Sequence, residues 1–222
     1  MNYSKPVKCV IFDCDGTLVD SERWCIQAQV DTLASVGIRV EYEWIKKNYQ
    51  GVKIHQIFDS QIANKSLLSE GGLERLISNY RVRCNQLFDQ YLAPIDGVEY
   101  VLDSLVTRQI KVCIASNGPL EKMNTTLSLT GLDHYFDSKI FSAFEVNKWK
   151  PDPLLIHYVM DKMQVSADEC LFVDDSLSGI AAGIGAGVKS LYFAHADPDC
   201  ELAQQNQLLH KIQHLNEVLR FV

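Results

Sequence analysis

The stretch Val10-Ile11-Phe12-Asp13-Cys14-Asp15-Gly16-Thr17-Leu18-Val19 joins a short apolar run to two carboxylates two residues apart and then to a glycine. Val7 to Phe12 is rich in β-branched residues and almost free of polar ones, as a strand covered on both faces must be. The same character returns at Ile110 to Ala115 and Cys170 to Val173, with a fourth run at Val188 to Phe193 and a weaker fifth at Lys139 to Phe141. Between these runs the apolar residues take helical spacing: Val98 to Leu105, Leu120 to Leu129, Pro153 to Met163 and Ser176 to Ala186. Strand alternating with helix predicts an α/β fold, a Rossmann-like, doubly wound parallel sheet.

Asp20 to Leu92 breaks that rhythm. Its amphipathic patterns, Trp24 to Val36, Trp44 to Tyr49, Ile54 to Ile62 and Leu73 to Phe88, contain no strand signal. A helical insertion over residues 19–93 is expected, with residues 1–18 and 94–222 forming the sheet domain and hinges near Val19 to Glu22 and Ala93 to Gly97. Cys200 to Arg220 reads as surface helix.

The 222 residues, 47% apolar, suffice for one core plus a modest extra module. A formal net charge of −7 argues against nucleic acid or an acidic membrane as partner, since either would be repelled. An anionic small-molecule substrate has to be met by local cations or a metal. Seven cysteines without a C-x-x-C pair read as small buried thiols of a reducing compartment, so the cytoplasm is the expected location. The six histidines lack ligand spacing, which leaves zinc unsupported. Gly179, Gly183 and Gly187 are spaced like a membrane dimerisation pattern, but their helix is too short to span and they read as close helix-to-sheet packing, while Gly183-Ile184-Gly185-Ala186-Gly187 does not match the dinucleotide fingerprint. A monomer or weak dimer is expected.

Four islands lie at the carboxyl ends of predicted strands or in the turns that follow, where open α/β sheets hold their ligands. They are Asp13-Cys14-Asp15-Gly16-Thr17, Ala115-Ser116-Asn117-Gly118-Pro119, Trp149-Lys150-Pro151-Asp152-Pro153 and Asp174-Asp175-Ser176. Singly, each has a plain explanation as a turn, a helix cap or a surface charge. Together and in this order they describe phosphoryl transfer. A phosphate beside Asp13, Asp15, Asp174 and Asp175 needs a hard cation, and Mg2+ takes oxygen ligands. Asp13 suits in-line attack on phosphorus, and Asp15 suits proton transfer to the leaving group and from water. Ser116 and Lys150 suit binding of the phosphoryl oxygens, and Asn117 a further hydrogen bond to substrate. Gly51 and Lys53, in the insertion, are candidates for the rest of the substrate.

These residues in this order resemble the haloacid dehalogenase superfamily, over essentially the whole chain. The resemblance implies that Asp13 is nucleophile and metal ligand, that Asp15 is acid/base and binds metal through its main-chain carbonyl, and that Asp174 and Asp175 complete a Mg2+ site. It also implies that residues 19–93 form a type I helical cap. Asp15 is absent from the dehalogenases themselves, which favours phosphate chemistry. Relatives of the β-phosphoglucomutase type carry a histidine where this chain has Cys25, which favours a phosphatase over a sugar phosphomutase. Gly51 to Lys53, Ser116 to Pro119, Trp149 to Pro153 and Val173 to Ser176 look most like bacterial phosphatases of sugar-acid phosphates such as 6-phosphogluconate. A non-enzymatic phospho-receiver module also uses clustered acids, a hydroxyl and a lysine, but would have its acid pair on the first strand and no helical insertion.

Overall fold

The computed structural model describes residues 5–49, 54–62, 72–195 and 206–222. Six strands, β1 (Cys9–Phe12), β2 (Lys111–Ser116), β3 (Ile140–Ser142), β4 (Cys170–Asp174), β5 (Lys189–Phe193) and β6 (Leu209–Ile212), form one parallel sheet in the order β3-β2-β1-β4-β5-β6. The helices are α1 (Glu22–Ser35), α2 (Tyr42–Tyr49), α3 (Ile54–Gln61), α4 (Gly72–Tyr91), α5 (Val98–Thr107), α6 (Leu120–Leu129), α7 (Asp133–Phe136), α8 (Ala143–Val146), α9 (Leu154–Met163) and α10 (Leu177–Gly185). The alternation read from the sequence is thus realised as an α/β sheet. The chain winds outward from β1 to β3, then crosses back and winds out the other way from β4, so β1 and β4 flank the switch point.

The chain divides into two compact units, residues 1–20 with 93–222 and residues 21–92. In the first unit, β1, β2 and β4 are buried along almost their whole length, which is why they read as unbroken apolar runs. Ile11, Phe172, Leu155, Val159 and Ala182 belong to one core cluster between sheet and helices. Main-chain bonds tie the outgoing and returning segments of this unit: the Asp20 N–H donates to Ala93 O at 3.0 Å and the Ile95 N–H to Leu18 O at 2.9 Å. The second unit is helical, with Leu33, Ile57, Phe58 and Leu76 at its centre. The Arg83 guanidinium joins α4 to Asp31 of α1 at 2.7 Å. No helix among the described residues is long and apolar enough to cross a membrane.

One expectation is corrected. Residues 206–220 do not continue a surface helix: they contain the edge strand β6 and a 3-10 helix over Leu215–Arg220. β6 pairs only with β5, so three of its four residues keep partial contact with water. Its sequence, Leu-His-Lys-Ile, therefore lacks the apolar continuity of the inner strands. The thiols behave as read: Cys9, Cys14, Cys84, Cys113 and Cys170 are buried, and Cys25 is partly so. Cys9 and Cys113 are in contact across β1 and β2, Sγ to Sγ 3.8 Å; the bond between them and burial both push the Cys9 thiol well up.

Gly183 explains how α10 lies so near the sheet. A Cβ there would meet Ser190 Oγ and stand 2.6 Å from Phe172 Cδ1. At Gly185, on the same helix, an added Cβ would find only the Pro153 ring, at 3.4 Å. Gly183→Ala is expected to lower stability by about 1–3 kcal/mol through overpacking, while Gly185→Ala leaves the midpoint near that of wild type. Urea unfolding of the two variants tests this, and equal midpoints would show that the packing is not set by Gly183.

Candidate active site

At the carboxyl end of the sheet, β1 delivers Asp13, β2 ends on Ser116 and β4 ends on Asp174, so all three side chains are placed by buried, hydrogen-bonded backbone. Lys150 arrives from the segment between α8 and α9 and closes the group. Its ammonium donates to Asp13 Oδ1 at 2.7 Å, to Asp174 Oδ2 at 2.7 Å and to Ala115 O at 3.2 Å. Three N–H donors thus meet three acceptors from three neighbouring strands. Lys150 is 6% exposed and Asp174 fully buried, so neither charge is held by water.

Electrostatics follow from that burial. Burial pushes the Asp13 carboxyl up to about 6, opposed by the Lys150 ammonium and reinforced by the Asp174 charge. Burial disfavours the charged form of Lys150 as well, but Asp13 and Asp174 outweigh it and the ammonium is held well above the usual lysine range. Lys150 is therefore a fixed positive charge.

The loops are specified in detail. Asp174 Oδ1 accepts from the Ser176 N–H at 2.8 Å and from Ser176 Oγ at 2.6 Å, while Ser176 Oγ accepts from the Gly179 N–H at 3.0 Å and caps α10. A Cβ at Gly179 would land on the Asp174 carboxylate, so that close approach requires glycine. Gly16 has φ +80°, and a Cβ on it would strike the Asp175 carboxylate. Thr17 Oγ1 donates to Asp175 Oδ1 at 2.9 Å, orienting that acid. Ser116 Oγ accepts from the Gly118 N–H at 3.1 Å just ahead of α6.

Asp13, Asp174, Asp175, Ser116 and Lys150 lie at one end of the sheet. Carboxylate oxygens of Asp13, Asp174 and Asp175 lie within 4.8 Å of one another, an all-oxygen set of the kind a hard divalent cation takes. The Asp15 side chain stands apart from that trio and meets Lys122 Nζ at 2.8 Å. Asn117 is spent on the main chain of Lys150: its Oδ1 accepts from the Lys150 N–H at 2.8 Å and its Nδ2 donates to Lys150 O at 3.3 Å. Gly51 and Lys53 lie outside the described residues.

Two residues, His195 and Lys122, escaped the sequence reading, and two more, Ser176 and Thr17, were named in it without the role the structure gives them. Ser176 Oγ donates to Asp174 and Thr17 Oγ1 to Asp175, and Asp-Asp-Ser opening a helix was a signal for the first of them. His195 Nε2 lies 2.9 Å from Gly16 O, which ties the segment after β5 to the Asp13–Thr17 loop. Lys122 lies in the first turn of α6, where a cation opposes the helix dipole, and that misplacement was its signal.

The comparisons with known proteins fit this geometry. The family model described as haloacid dehalogenase-like hydrolase matches residues 10–193. The chain is 37% identical over 193 residues to 6-phosphogluconate phosphatase of Escherichia coli K12, covering 86% of this chain and 84% of that protein. It is 26% identical over 186 residues to a Thermotoga maritima protein named phosphorylated carbohydrates phosphatase, covering 84% of each. A crystal structure of a putative β-phosphoglucomutase from Thermotoga maritima shares the fold, with TM-score 0.77 and 22% identity over 96% of this chain and 97% of the other. The chain belongs to the haloacid dehalogenase-like hydrolase family, as one of its phosphatase enzymes.

Proposed function

We propose that this enzyme hydrolyses a sugar or sugar-acid phosphate, 6-phosphogluconate foremost, through a phosphoryl group carried on Asp13, with Mg2+ as its cation. The observation that carries the mechanism is the convergence of Asp13, Asp174 and Lys150, with Asp175 beside them, on the end of one sheet. The substrate rests on the 37% identity to a 6-phosphogluconate phosphatase.

A carboxylate oxygen of Asp13 attacks phosphorus; the O–P bond to Asp13 forms as the bond to the ester oxygen breaks. Asp15 gives its proton to that departing oxygen, then takes one from the water that attacks the acyl phosphate. Inorganic phosphate leaves and Asp13 is regenerated. Lys150 and Ser116 bind the phosphoryl oxygens, and Asn117 acts through Lys150 by fixing its main chain. Asp13, Asp175, Asp174 and the Asp15 carbonyl would hold Mg2+, which supplies charge neutralisation between these acids and the phosphate. Residues 19–93 are assigned as the cap module, with Gly51 and Lys53 as its candidates for substrate binding. The process needs neither nucleic acid nor membrane and is suited to the cytoplasm.

A sugar phosphomutase is the second reading. It would return the phosphoryl group to sugar rather than water, and Cys25 in place of histidine counts against it. Incubating the enzyme with Mg2+ and a panel of sugar and sugar-acid phosphates, with free phosphate and isomerised sugar both followed, separates the two. Phosphate release, greatest with 6-phosphogluconate, is expected; isomer without phosphate would reject hydrolysis. Asp13→Asn is expected to abolish turnover with the far-ultraviolet circular dichroism unchanged, and activity near wild type would reject Asp13 as nucleophile. Excess EDTA should stop the reaction and added Mg2+ restore it.

The raised Asp13 pKa makes protons compete with the cation. A carboxyl titrating near 6 is ionised above that pH and protonated below it. Apparent Mg2+ affinity is therefore expected to be flat above about pH 7 and to weaken about tenfold per unit below pH 6. Calorimetric titration with Mg2+ at pH 5 and pH 7.5 tests the sign; tighter binding at pH 5 would contradict it.

A further inference from the structure

Lys122 is the one residue at this site whose charge is on the wrong end of its own helix. It is third in α6, whose N-terminus carries the positive end of the dipole and already faces the phosphate-binding loop. A lysine there is disfavoured unless an anion compensates it, and Asp15 Oδ1 does so at 2.8 Å. Unlike the pair made by Lys150, this one is part-exposed, 30% for Lys122 and 25% for Asp15, so its lysine has room to move.

The position along the substrate path is defined by neighbours. A Cβ on Gly118 would lie 3.4 Å from Asp15 Oδ2 and 3.5 Å from Ser116 Oγ, so the phosphate loop and Asp15 are side by side. With phosphorus at Asp13 and the departing oxygen at Asp15, the alcohol part of the ester extends past Asp15. Lys122 Nζ then stands two hydrogen bonds, roughly 5–6 Å, from that oxygen. Its four-carbon stem brings the ammonium within reach of an anionic group borne on the alcohol.

We propose that Lys122 is a specificity-determining residue that binds the carboxylate of a sugar-acid phosphate, selecting it over a neutral sugar phosphate. The assignment rests on the phosphatase reading above and on Asp15 as the group that meets the departing oxygen. In the absence of substrate Asp15 holds Lys122 ready; on binding, the ammonium exchanges or shares that contact with the substrate carboxylate. This accounts for a cation in an otherwise acidic rim, where a second negative charge on the substrate would be repelled.

The test is the ratio of kcat/KM for 6-phosphogluconate to that for glucose 6-phosphate, measured with Mg2+ for wild type, Lys122→Met and Lys122→Arg. The ratio should fall about tenfold or more in Lys122→Met, mainly through KM for the acid substrate, and recover most of its value in Lys122→Arg. A ratio equal in wild type and Lys122→Met, whether or not both rates fall, would overturn the assignment and leave Lys122 as a residue that only positions Asp15. A wild-type enzyme that hydrolyses neither ester would instead overturn the phosphatase reading, and this assignment with it.

Discussion

A buried ammonium held by two buried carboxylates organises this molecule. Lys150 cannot be taken from water without partners, and Asp13 and Asp174 could not stand so near each other without a cation between them. Each charge makes the others tolerable. The arrangement is weak evidence for stability, since ion pairs of this kind often only offset their own desolvation. Its effect is positional: β1, β2 and β4 each contribute an acceptor, so the register of three strands is checked against a single nitrogen atom. With Asp175 beside them, three acids face one lysine, and the remaining negative charge is what a divalent cation answers.

That cluster constrains the turns around it. Asp174 reaches Lys150 with one oxygen and Ser176 with the other, so the start of α10 must crowd the carboxylate, and only glycine fits at position 179. Gly16 is fixed by a like demand from Asp175 together with its own positive φ. Asn117 is locked to both main-chain polar groups of Lys150, so the second and third islands are one structural piece. The glycines and amides of this site thus follow from where the charges have to be.

What was legible in the sequence, and what was not, divides along the same physical line. Inner strands buried on both faces leave apolar runs that need no partner to be recognised, and β1, β2, β4 and β5 were read to within two residues. The edge strand β6 is wetted, carries His210 and Lys211, and shows no such run. Asp13, Ser116 and Asp174 could be grouped because each stands at the end of a strand, whereas Lys150, which follows α8, was marked by the prolines around it. Lys122 could not, because it lies inside a helix where a lysine is commonplace and its partner is distant in the chain. Ser176 was visible as a cap but not as the hydroxyl that fixes Asp174.

Asp13 and Asp15, two residues apart on one loop, stand in different surroundings, as the different work proposed for them requires. Asp13 is 8% exposed and clamped by a lysine that is itself buried, so its carboxylate is held still. Asp15 is part-exposed and paired with a lysine that solvent also reaches, so its surroundings can rearrange as a substrate arrives. A nucleophile benefits from rigidity because in-line attack tolerates little misalignment, whereas an acid/base group has to meet first an alcohol oxygen and then a water. In the proposed mechanism the two roles would then be divided by burial and by the differing lysines rather than by any difference between the acids themselves.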